Sequence, residues 1–128
     1  MTNWEKIEQF MHRYTTFFEQ MVELEKVKLQ VLMSNDVQAI QVNLLEQQSN
    51  AKRIENIEVE RQKVFLEHGF ETLSLREVIA LCDTDLKVQL EKIYERLQHA
   101  IRQIKYHNRK SMEIIQMNLS IYQAAEVR

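Results

Sequence analysis

Asp85–Ala125 reads DLKVQLEKIYERLQHAIRQIKYHNRKSMEIIQMNLSIYQAA and contains neither proline nor glycine. Leu86, Leu90, Ile93, Leu97, Ala100 and Ile104 recur at spacings of three and four, the pattern of a helix with one buried face. Beyond His107 the pattern divides. At ~100° per residue, Met112, Ile115, Leu119 and Tyr122 fall on one side of the helix, and Ile114, Met117 and Ile121 fall nearly opposite. A helix in a small bundle needs one apolar stripe. The second, Ile114/Met117/Ile121, is surplus to a core and asks for a partner of its own.

The rest of the chain repeats this helical bias. Its 128 residues hold no proline and one glycine, Gly69, and 45% are hydrophobic, which argues against disorder and for an all-α fold. The length suits one domain, residues 1–128. Trp4, Ile7, Met11, Tyr14, Phe18 and Met21 trace an a/d seam, widened by Phe10, Phe17, Leu24 and Val31. Thr2 or Asn3 can cap this first helix, which runs to about Leu32, ~45 Å. Ser34-Asn35-Asp36 breaks it, and Asp36 can cap a second. There Val37, Ile40, Leu44, Gln47, Ala51 and Ile54 make the first seam, with Ile57 and Val64 on a neighbouring stripe.

Gly69 after His68 predicts the end of the second helix, because glycine alone takes a left-handed conformation freely. Ser74-Leu-Arg-Glu77 fits a capping box opening a short helix through Val78, Ile79 and Cys82. Asp83-Thr84 then caps the last helix. The expected architecture is an elongated antiparallel bundle or coiled coil of three long helices, with one short helix between the second and third. Its core joins the first seam to Ile40, Leu44, Ala51 and Ile54, and to Leu90, Ile93, Leu97 and Ile104.

Charge and composition exclude several functions. With 17 basic and 19 acidic residues the chain is not a general nucleic-acid binder, and the basic run Lys87–Lys110 reads as a solvated helix face. No apolar run approaches the ~20 residues of a membrane span, and no signal peptide is expected at Trp4-Glu5-Lys6. A single cysteine, Cys82, cannot form an internal disulfide and fits a reducing, cytoplasmic setting. His12, His68, His99 and His107 lack the Glu-x-x-His or His-x-x-x-His spacing of helical metal sites, so no metal or cofactor is expected. Arg102 to His107 and Arg61 to His68 fit the short Arg-x4–6-His pattern of some helical-bundle ribonucleases, at a frequency chance supplies. An RNA-binding or RNA-cleaving bundle using Arg102 and His107, or a structural coiled-coil adaptor, are the alternatives to a non-enzymatic binding protein.

The succession of features carries a resemblance. Ser34-Asn35-Asp36 leads into Val37-Gln-Ala-Ile40. A Glu/Gln/Lys-rich heptad helix ends at Phe65-Leu-Glu-His-Gly69, and Thr72–Leu75 precedes a short helix. The last helix carries Asn108 followed by Met112-Glu-Ile-Ile115. From about Leu24 to Tyr122 the chain resembles the FlgN family of flagellar export chaperones. The resemblance implies a cytoplasmic, non-enzymatic chaperone of the flagellar type III secretion system. Such a protein holds the amphipathic C-terminal helical segment of hook-associated proteins of FlgK and FlgL type and delivers them to the export gate. It also implies a client surface on the last helix: Asn108, Ile114, Met117, Ile121 and Tyr122. A second copy in a homodimer is the competing occupant of that stripe. Some relatives carry a flexible polar tail that helps dock to the gate; here Gln123–Arg128 follow Tyr122.

Overall fold

The computed structural model describes residues 2–127, and the side chains of all of these but 122 and 125–127. The described residues form four helices and no strand: α1 (Trp4–Ser34), α2 (Val37–Glu67), α3 (Leu75–Ala80) and α4 (Leu86–Val127). The helix ends follow from side chains able to satisfy orphan backbone groups. Asn3 Oδ1 accepts the Lys6 N–H at 3.1 Å, and Asp36 Oδ1 accepts the Ala39 N–H at 3.2 Å. Asn35, at φ 56°, takes the left-handed turn that asparagine tolerates. Gly69, at φ 73°, does the same after α2. There the Phe70 N–H reaches Phe65 O and the Gly69 N–H reaches Leu66 O, a Schellman closure whose outer pair, Phe65 and Phe70, is buried. The capping box of Ser74 and Glu77 is complete.

The register between helices is readable from polar contacts. Lys6 pairs with Glu67, and Arg13 with Glu60, so α2 runs antiparallel to α1. Trp4 lies by Leu86, Arg96 grips Glu19 with two nitrogens, and Lys28 bonds Asn108, so α4 runs parallel to α1. Exposed pairs of this kind add little stability, but they mark the register.

The expected three-helix core is met only in part. The main contact is α1 along α4, while no Cα of α2 comes within 8 Å of a Cα of α4 among the described residues. The helix α1 therefore lies in the middle, with α2 on one flank and α4 on the other.

Burial divides this assembly lengthwise. At the end closed by α3 and the Phe65–Phe70 turn, Ile7, Phe10, Met11, Leu90 and Val78 are wholly buried. Tyr14, Ile57, Val64, Ile93 and Leu97 join them in one cluster, as the α1 and α4 seams predict. Trp4 stacks on Phe70 with centroids 6.1 Å apart, and Tyr14 sits 4.9 Å from Phe18. At the other end the α2 expectation fails: Leu44, Ala51 and Ile54 are exposed and Ile40 is half-buried. The side of α2 turned to α1 there carries Asn43, Gln47 and Asn50 instead. Its face is set by Ile57, Val64 and Phe65 in the closed end, and a rigid helix carries that orientation down to Asn43.

Candidate functional site

The open end is the half away from α3, and within it α1 runs out before α4 does. Lys28 Nζ meets Asn108 Oδ1 at 3.0 Å. Carrying that register six residues to Ser34 brings α4 to about Ile114, so roughly 13 residues of α4, ~20 Å, project past α1. Sequence keeps this segment helical without neighbours: it holds no glycine, proline or charge from Ile114 to Ala125.

The seam just before the overhang is polar. The inward side of α4 runs Ile104, His107, Ser111, Ile114, Asn118. Ser111 is 1% exposed, yet its hydroxyl meets no hydrogen-bond partner among the described residues, and neither ring nitrogen of His107 meets one. Facing them, Glu25 Oε2 lies 2.7 Å from Lys28 Nζ, an ionic contact rather than a well-directed hydrogen bond. Among the described residues, the fully buried side chains of the open end are Asn43 and Ser111, both polar. Ile104 and Ile114 share the inward side with these polar groups and are half-buried, while other large apolar groups point outward. Met117 is 59% and Ile121 60% exposed, with Met112, Ile115 and Leu119 also open. Buried polar groups in the seam stand beside open apolar groups on the exterior, and the exterior is the part that gains from being covered.

The expected client residues fare unequally. Met117 and Ile121 lie together on an uncovered stripe. Ile114 does not stay with them: it is half-buried on the inward side, because Ser111 and His107, not Met112 and Ile115, set the face turned to α1. Asn108 is exposed, but its side-chain oxygen is already taken by Lys28. Tyr122 lies outside the described side chains. Met112, Ile115 and Leu119, expected against the core, are exposed and enlarge the surface. On α2, Val37, Val42, Leu44 and Leu45 are uncovered as well. A signal for these was present: Val37–Ala51 holds one charge, Glu46.

A separate cleft opens between α2 and α4, floored by Tyr14, walled by Glu58, Arg61, Leu97 and Ile101, and closed at one end by Leu75. The Tyr14 hydroxyl donates to Glu58 Oε1 at 2.5 Å, and Arg61 Nε donates to Glu58 Oε2 at 2.9 Å. Burial, then the Glu58 carboxylate, hold the Tyr14 hydroxyl well above its ordinary value, so it stays a neutral donor. The triad of Tyr14, Glu58 and Arg61 uses the tyrosine hydroxyl, both carboxylate oxygens and the Arg61 Nε on itself.

Arg102 is exposed, whereas the His107 ring nitrogens are shut into the α1–α4 seam, away from any external substrate. No group of three or more His, Cys, Asp or Glu side chains among the described residues is arranged to hold a metal. No described helix is long and apolar enough to cross a membrane. Comparison with protein-family models, with curated proteins and with solved structures gave no match.

Proposed function

We propose that this chain is an export chaperone of FlgN type. It covers the amphipathic C-terminal helix of a hook-associated client of FlgK or FlgL kind and brings it to the flagellar export gate from the cytoplasm. The observation that carries the reading is the overhang of α4, where Met117 and Ile121 are more than half exposed and, among the described residues, the register carries α4 past the end of α1. A client segment destined for a filament is apolar on one face and aggregates when free. A helix laid along the overhang covers that face. Methionine suits such a surface because its unbranched thioether adapts to more than one client. Met117 and Ile121 form the centre of the site, while Ile115 and Leu119 leave the nearly opposite side of the overhang open as well. Ile114 supports it from the inward side, and Asn108 acts by fixing α4 to α1.

The test is titration with a peptide of the client's C-terminal helix, followed by circular dichroism of each variant. Met117→Asp with Ile121→Asp removes two contacts worth about 1.5–3 kcal/mol each before ordering costs and sets charge against an apolar helix. Binding falls at least about a hundredfold, ~2.7 kcal/mol, while helix content and melting hold. Ile104→Asp, on the side of α4 turned to α1, lowers the melting temperature instead. Unchanged binding by the folded double variant, or no binding by the wild type, overturns the proposal.

A further inference from the structure

The helix α2 has a second unpartnered face, distinct from the α4 overhang. Its inner side, with Asn43, Ile57 and Val64 buried, is turned to α1. Val37, Leu44, Val59 and Leu66 are 67, 59, 63 and 64% exposed. Taken at ~100° per residue, these four and Leu45 lie within a sector of about 100°, opposite the buried side. The stripe runs the length of the helix, ~45 Å, and neither α3 nor α4 approaches α2 to cover it. Aliphatic side chains at both ends of this face, with Gln48, Lys52 and Glu55 between them, are more than an ordinary exposed leucine and mark an interface.

The order of residues along the strip identifies the partner. Val37 and Leu66 stand at equal distances on either side of the Ala51–Lys52 junction, and so do Leu44 and Val59. Between them, Gln41 mirrors Gln62 and Gln48 mirrors Glu55. A two-fold axis at that junction therefore sets aliphatic against aliphatic and amide against amide or carboxylate. Lys52, an exposed residue 3.5 Å from Glu55 of its own chain, stands beside the axis and comes within about one helical turn of Glu55 of the second copy, so the two chains bring two cations and two anions together there. We propose that α2 pairs antiparallel with α2 of a second copy of this chain through this face. The pairing does not rest on the chaperone reading, since its residues are those of the outer face of α2.

The mirror order makes a register-specific test available. In sedimentation experiments the wild-type chain is a dimer. Leu44→Glu and Val59→Lys each set a charge against an aliphatic side chain twice per dimer and weaken association at least about a hundredfold. Both positions are more than half exposed, so circular dichroism is unchanged. Mixing the two variants in equal amounts restores a dimer, because Glu now faces Lys at one end and Leu faces Val at the other. Met117→Asp with Ile121→Asp leaves the dimer intact. A monomeric wild type, a dimer indifferent to both α2 substitutions, a dimer broken by the α4 substitutions, or a mixture that stays monomeric overturns the proposal. Loss of helix in either α2 variant overturns it too, since the face would then be internal.

Discussion

The two ends of this molecule use similar residues to opposite effect. In the closed end, apolar stripes from α1, α2, α3 and α4 meet, and Phe10, Phe65, Leu90 and Val78 are sealed from water. In the open end the same three long helices continue, but Asn43, His107 and Ser111 turn inward while Leu44, Leu45, Met112 and Ile115 turn outward. Stability belongs to the first end and surface to the second. A bundle needs only part of its length to fold; the remainder is available for contact.

Breaking the comparison starts in the closed core. Leu97 is 2% exposed, so Leu97→Ala costs roughly 2–5 kcal/mol in urea unfolding. A loss under about half a kcal/mol would place Leu97 at the surface and dissolve the distinction between the ends.

Next comes the polar triad beside that core. Tyr14→Phe removes a hydrogen bond to a carboxylate and costs roughly 1–2 kcal/mol. The raised affinity of the Tyr14 hydroxyl for its proton also gives a pH signature. Its contribution is full below about pH 10, where the unfolded tyrosine is neutral, and is lost as pH rises because the unfolded chain ionises first. The wild type therefore loses this stability above about pH 10, and Tyr14→Phe does not. Parallel alkaline profiles for the two proteins would contradict the burial of this hydroxyl.

The smallest effect, of opposite sign, lies in the open end. Ser111→Ala deletes a buried hydroxyl that meets no partner among the described residues and installs a better helix former, so stability rises by up to about 1 kcal/mol. A destabilisation of that size would mean that the seam is satisfied and ordered like the core.

Helix limits were legible because caps are local chemistry: Asp36, Ser74, Gly69 and Thr84 act on backbone groups within a few residues. The α1 seam was legible because its aromatic stripe has no rival on the helix. On α2 and α4 two stripes compete, and periodicity alone favours the more apolar one for the interior. Orientation is decided elsewhere, by Ile57 and Val64 on α2 and by Leu90, Ile93 and Leu97 on α4, and the rest of each helix follows. That is why periodicity alone turns Leu44 and Ile54 inward and Ile114 outward. The doubled pattern past His107 did forecast an uncovered surface at Met117 and Ile121. The parallel course of α1 and α4 follows from the antiparallel succession that the short connections predict, since the first and third of three alternating helices point the same way.

That parallel course fixes the order of events in folding. Two parallel helices cannot be joined by a short turn, so the chain must travel out along α2 and close through α3 before α4 meets α1. Arg96 and Glu19 are 77 positions apart, and Lys28 and Asn108 are 80. Closing loops of that size costs entropy before any contact rewards it, which slows folding relative to bundles of sequential hairpins. On the ribosome, α1 and α2 emerge before α4, and the part of the α1 stripe that α4 covers stays bare until then. The first two turns of α4, carrying Leu86, Leu90 and Ile93, end that wait, and the overhang emerges only after its support is in place.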